Sequence, residues 1–257
     1  MPCIGMAHWY KFALYYLWIA PHVLLVAVAL FMYTRRLHKD FPVFFVYTLY
    51  ETLGFLLRFA AYTAGHGLGG SLYRYVFIVT AAGSTALRFG IIQEIFNNVF
   101  HDYPRLEATA TASMRWVTGL LLVAAILAAL YSSGAVSDNL MVGVSLLSRS
   151  VTIIQAGLLL FLFLFSRMFG LSWRSFVFGI AFGFAIFSST ELAFWAARLT
   201  DPTEHTKSLL DLLPTGSYHL SVLVWLGYLL AAEKPVGAAT YPVPEMDQWS
   251  GELERSR

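Results

Sequence analysis

Seven mainly apolar stretches, each long enough to cross a hydrocarbon core of about 30 Å, divide the 257-residue chain. They fall at about 12–33, 41–63, 73–96, 114–131, 139–166, 175–197 and 209–232. Inside a bilayer no water meets a backbone N–H or C=O, so each stretch must satisfy these groups internally. Helices do so at these lengths, whereas barrel strands need only about ten residues and alternate in polarity. The sequence therefore predicts an all-α fold, a polytopic bundle of seven transmembrane helices over 1–232. Residues 233–257 are polar, carry Pro235, Pro242 and Pro244, and read as a disordered tail.

Composition supports the class and excludes others. Hydrophobic residues make up 58% and charged residues 12% of the chain, against about a quarter charged in soluble domains. The expected environment is a lipid bilayer. A net charge of +2 gives no reason to expect a nucleic-acid partner. The one cysteine, Cys3, rules out an internal disulfide and a cysteine-rich metal site. The first apolar stretch is too long for a signal-peptide core and reads as a retained span.

Orientation follows from Lys and Arg in the short connections. With the N-terminus outside, the inner segments hold Arg35, Arg36, Lys39, Arg105, Arg115, Arg167, Arg174 and Lys234. The outer ones hold Lys11, Arg74, Arg198 and Lys207. The bias predicts an outside N-terminus and a cytoplasmic C-terminus. The longest inner loop, 97–113, contains Asn97, Asn98, His101, Asp102, Tyr103, Pro104 and Arg105. The tail is too short for an output domain, so a signal would have to pass to another chain, with the 97–113 loop as the expected contact.

Six ionisable residues lie within these spans: Glu51, Arg58, Arg88, Glu94, Arg149 and Glu191. A charge near the bilayer centre costs about 2.5–3.5 kcal/mol, so these side chains are expected to face the interior and pair. Glu51 and Arg58 are seven residues apart, which returns them to nearly one helix face, and Tyr47 shares it. Matching depth predicts two pairs, Glu51–Arg88 and Arg149–Glu191. Glu94, with Gln93 and Asn97, reads as an interfacial residue. Tyr218 and His219, after Pro214 and Gly216, add polar groups at an irregular start of the last helix. The binding or ion-pair set is therefore Tyr47, Glu51, Arg58, Arg88, Arg149, Glu191, Tyr218 and His219. A structural salt-bridge network is the competing reading of the same residues.

His22 and His219 are the mid-span histidines. They could ligate haem iron, hold a quinone head group, or bond between helices. His22, after Pro21, could also satisfy backbone released by the proline. Gly179 and Gly183, and Ala82, Ala86 and Gly90, are small residues at helix-packing spacing. All four lysines (Lys11, Lys39, Lys207, Lys234) fall outside the spans, so no retinal Schiff base can form. A three-histidine-and-aspartate zinc set, a phosphate loop and a Gly-x-Ser-x-Gly motif are missing, and no catalytic residue or metal site is assigned.

Four segments together, RLHKDFPVFF (Arg36–Phe45), QEIFNNVFHDYP (Gln93–Pro104), FLFLFSRMFGLSW (Phe161–Trp173) and LLPTGSY (Leu212–Tyr218), carry a resemblance. They resemble uncharacterised seven-span proteins that recur in soil acidobacteria. The resemblance implies a bacterial inner-membrane setting and no particular activity. The leading functional expectation is a sensor or receptor-like module. Its outer-half pocket would bind a small, anionic ligand, because Arg recognises carboxylate and phosphate. The alternatives are a small-solute or proton-coupled transporter using Glu51, and a haem- or quinone-binding redox protein.

Overall fold

The computed structural model describes residues 3–64, 70–100, 123, 136–165, 174–198 and 212–231. The expected span at 114–131 (apart from Val123, which is helical), loop residues 101–113 and the tail at 233–257 lie outside the described residues.

Among the described residues the fold is all-α, with six long helices: α1 (Cys3–Thr34), α2 (Pro42–Ala64), α3 (Ser71–Phe100), α4 (Val136–Phe165), α5 (Phe176–Arg198) and α6 (Leu212–Ala231). Most bounds match the expected spans closely. However, α1 begins at Cys3 rather than near 12, and α3 continues to Phe100, so Asn97 and Asn98 are helical. Four segments among the described residues are long and apolar enough to cross a membrane: Tyr15–Thr34, Pro42–Ala64, Ser71–Val99 and Phe176–Arg198. The start of α6 is regular, because Pro214 sits in the first turn, where its missing N–H is not needed.

Large apolar side chains lie on the outside of the bundle as well as in its core, and several polar ones are buried. Val23, Leu30, Leu53, Val79, Ile153, Leu160 and Leu164 face outward, whereas Thr48, Glu51, Arg88, Thr152, Gln155 and Ser188 are buried. Such a surface suits hydrocarbon as solvent and would be an aggregation hazard in water.

Ring and hydrogen-bond contacts fix the helix directions. His22 packs on Phe55 and Trp18 on Phe59, so α1 and α2 are antiparallel. Tyr50 reaches Val79 while Glu94 reaches Val43, so α2 and α3 are antiparallel. Phe44 packs on Phe176 and Tyr47 on Phe184, which makes α2 and α5 parallel. Phe163 meets Phe178 while Thr152 meets Glu191, and Trp225 meets Ile180 while Tyr218 meets Phe187. Hence α1, α3, α4 and α6 run one way, and α2 and α5 the other. Each helix packs on its neighbours in chain order, α6 closes the ring onto α1, and α3 touches α5 across the centre.

The end carrying the α1–α2 connection, residues 35–41, is called the hairpin end, and its opposite the far end. The large buried apolar side chains concentrate toward the hairpin end: Leu25, Met32, Phe44, Ile91, Ile95, Ile180, Phe184 and Trp225. Phe44, Phe184 and Trp225 interlock there, with ring centroids 4.9–6.3 Å apart. Gly183 makes this possible, since a Cβ there would collide with the Trp225 indole, and Gly179 does the same for Tyr228. The Trp225 indole N–H donates to the Ile180 carbonyl at 3.2 Å.

Helix ends at the hairpin end are closed by side chains. Ser175 accepts the Phe178 N–H at 3.3 Å, a local N-cap for α5. Arg35 donates to the Leu229 carbonyl in the last turn of α6, where a cation also suits the helix dipole. Glu94 of α3 caps α2, accepting the N–H groups of Val43 at 2.7 Å and Phe44 at 3.0 Å. Glu94 is thus buried and structural, which corrects its reading as an interfacial residue.

Candidate functional site

The inward stripe of α2 runs Tyr47, Glu51, Gly54, Arg58 and Ala61. The Arg58 chain lies back along the helix, past Gly54, toward Glu51. Its Nε donates to the Gly54 carbonyl at 3.1 Å, and its Nη2 stands 3.6 Å from Glu51 Oε2. The other Glu51 oxygen accepts the Ser84 hydroxyl of α3. Glu51 is therefore paired within its own helix and with α3.

Arg88 of α3 makes the second ion pair, with Glu191 of α5 at 3.2 Å. The same Nη2 donates to Thr152 at 3.0 Å and Gln155 at 3.0 Å, both on α4, and Nε reaches Gln155 at 3.3 Å. Thr152 also lies 2.8 Å from Glu191. The guanidinium carbon is 4.8 Å from the centroid of the Phe187 ring. This network joins three helices through Nε and Nη2 of Arg88 and one carboxylate oxygen of Glu191.

The expected pairs, Glu51–Arg88 and Arg149–Glu191, are not the ones formed. Arg88 takes Glu191, Arg58 takes Glu51, and Arg149 leaves the interior. Arg149 is exposed on the outside of the bundle, with its guanidinium 3.8 Å from the Trp195 ring centroid. Thr152, Gln155 and Leu159 define the buried stripe of α4, and at about 100° per residue Arg149 falls to one side of it.

Tyr47 lies one turn from Glu51, fully buried, with its ring against Phe184 and Trp225. It stands between the polar layer and the aromatic layer. The Tyr218 hydroxyl is buried toward Tyr47 without a hydrogen bond of ordinary geometry, and the Ser188 hydroxyl is buried without a partner. Tyr218 also packs on Phe187 and His22.

The two histidines meet different partners. The His22 ring Nδ1 is 2.9 Å from the Trp18 carbonyl, and the ring stacks on Phe55 at 4.2 Å. That carbonyl is not the one Pro21 releases, which is Leu17, four residues before the proline, so the contact does not replace the missing N–H. His219 packs edge-on against Tyr16. Among the described residues no group of three or more His, Cys, Asp or Glu is placed to hold a metal ion.

The structure brings Tyr47, Glu51, Arg58, Arg88, Glu191 and Tyr218 into one layer, leaves His219 against α1, and excludes Arg149. Sequence reasoning missed Ser84, Thr152 and Gln155. Their signal was available: each is a polar residue one or two turns from an intramembrane charge on its own or a neighbouring helix.

The two ion pairs differ chemically. Arg88 is 6% exposed and reaches three acceptors, whereas Arg58 is 23% exposed and makes one hydrogen bond and one long ion contact. The first is a closed joint, and the second can exchange its partner. Comparison with protein-family models, curated proteins and solved structures found no match to the chain.

Proposed function

We propose that this protein is a sensor or receptor-like membrane module. A small anionic ligand enters the polar layer from the far end, engages Arg58, and takes the place of Glu51. The observation that carries this reading is the contrast between the two arginines above one dry layer. Arg58 is reachable and loosely paired, Arg88 is locked, and the hairpin half below them is filled by Phe44, Phe184, Trp225 and their neighbours. A partly exposed arginine above a tightly packed apolar half suits recognition better than passage.

In this reading the far end is outside, the C-terminus is cytoplasmic, and the membrane is a bacterial inner membrane. Seven crossings fit the helix directions. Since α3 and α4 run the same way, the chain between Phe100 and Val136 has to return across the bundle, and the apolar stretch at 114–131 lies there. The 97–113 stretch, of which 97–100 ends α3, would then face a cytoplasmic partner chain.

Two experiments test these points. Thermal unfolding in detergent is measured with acetate, succinate and inorganic phosphate. At least one anion is expected to raise the midpoint, and Arg58→Gln is expected to weaken its binding by about 10–100-fold, the value of charge-assisted hydrogen bonds of about 1.5–3 kcal/mol. No anion-dependent shift, or an equal shift in Arg58→Gln, overturns the reading. For orientation, a membrane-impermeant maleimide should label Cys3 in intact spheroplasts. Labelling only after permeabilisation reverses the topology.

A proton-coupled carrier using Glu51 is the second reading, favoured by the burial of this carboxylate beside Ser84. It requires the aromatic layer to open, and flux of protons or solute in vesicles that is lost in Glu51→Gln would favour it.

A further inference from the structure

Arg149 is a guanidinium on the lipid-facing side of a membrane bundle, and among the described residues no carboxylate pairs with it. Its neighbours along the outer face of α4, Leu146 and Ile153, are exposed apolar residues. It lies over Trp195 of α5, three residues before the end of that helix at Arg198. At 1.5 Å per residue this puts Arg149 about 5 Å below the end of α5 and about 20 Å below the start of α4. With the headgroup layer at the end of α5, the first turns of α4 stand above it and the arginine reaches it. Two further features share the patch. The Trp195 indole N–H is buried beside Arg149 without an acceptor. Arg198, one turn nearer the end, has its guanidinium 4.9 Å from the Phe194 ring centroid.

We infer that the α4–α5 seam at the far end holds the phosphate of an anionic phospholipid, with Arg149 as its principal contact. A guanidinium bordered by hydrocarbon-facing Leu and Ile needs an anion that arrives along the same surface. A phospholipid meets both demands, since its acyl chains cover Leu146 and Ile153 while its phosphate accepts from Arg149. Stacking on Trp195 holds the guanidinium plane in place and leaves its edge N–H groups directed outward for a phosphate. Arg198 adds positive potential at headgroup height. This site is separate from the interior layer and does not depend on the role proposed for Arg58.

The test compares lipids bound to the purified full-length protein by native mass spectrometry, with thermal unfolding as a second readout. Phosphatidylglycerol and phosphatidylcholine with the same acyl chains are added in turn, and inorganic phosphate is a third arm. The wild-type protein is expected to retain phosphatidylglycerol about fivefold better than phosphatidylcholine, as one arginine near a lipid phosphate should give. Arg149→Gln should abolish that preference, Arg149→Lys should keep part of it, and Arg58→Gln should leave it unchanged. Equal binding of the two lipids to wild type overturns the proposal, as does a preference that survives in Arg149→Gln. Protection by inorganic phosphate equal to that by phosphatidylglycerol shows a free-anion site instead and also overturns it. A dimer that dissociates in Arg149→Gln, with lipid preference intact, assigns Arg149 to a second copy of the chain.

Discussion

Replacing Arg88 by Met is expected to cost about 3–5 kcal/mol of stability, the usual consequence of removing one partner from a buried ion pair. Three acceptors, Glu191, Thr152 and Gln155, converge on this guanidinium. Its loss leaves the Glu191 carboxylate with the Thr152 hydroxyl as its remaining described partner, in surroundings that cannot solvate a charge. Thermal or denaturant unfolding in detergent reads the effect. The double variant Arg88→Met with Glu191→Met should recover most of the loss, because two apolar side chains leave no charge behind. Losses that simply add would show that the pair is not coupled. Glu51→Gln in the Arg88→Met background should bring no recovery, which separates the observed pairing from the one expected by depth. Arg58→Met should cost less than Arg88→Met, since its ion contact is longer and the arginine partly exposed. It should still cost more than loss of a surface pair, because it leaves the buried Glu51 with Ser84 as its remaining described partner.

Six of the expected segments were legible as helices, because hydropathy and length are properties of each segment alone. Five of the apolar stretches return as helices with bounds close to those expected, and α1 differs chiefly by an earlier start. The pairing was not legible, because depth along an axis says nothing about which way a side chain faces. Arg149 and Glu191 do match in height to within one turn, yet Arg149 is exposed on the outer face of the bundle while Glu191 turns to α3. Periodicity carried part of the missing information. The stripe of Thr152, Gln155 and Leu159 separates the buried face of α4 from Arg149. The Glu51–Arg58 spacing marked a shared face, along which the arginine folds back to the Gly54 carbonyl and Glu51.

Contacts between distant segments were beyond any local pattern. Nothing around Glu94 announces that it will meet a helix start some fifty residues earlier (|i−j| = 51 and 50 for its two bonds). The sequence did hold half of the clue. The residue at the N-cap of α2 is Phe41, whose carbonyl accepts the first helical bond from Phe45 but whose side chain cannot accept a hydrogen bond. A helix beginning Phe-Pro-Val-Phe lacks its own cap, so something else must supply one.

Removing Glu94 should therefore loosen the start of α2, and Glu94→Ala is expected to cost about 2–4 kcal/mol. Pro42 at the first helical position has no N–H to satisfy, which leaves Val43 and Phe44 as the donors that the carboxylate serves. Each buried N–H left without an acceptor costs about 1–3 kcal/mol, and loss of the negative charge at the helix start adds a few tenths more. Glu94→Gln keeps one carbonyl acceptor but not the charge, and should cost about half as much. Hydrogen exchange locates the effect: the Val43 and Phe44 amides should exchange much faster in Glu94→Ala, while amides near the middle of α2 change in proportion to global stability alone. Unaltered exchange at these two amides would show that the carboxylate does not hold them. Because α2 also carries Glu51 and Arg58, a frayed start should weaken the packing of Phe44 beneath the polar layer. Anion binding at Arg58 should then fall less than in Arg58→Gln, since the guanidinium itself remains.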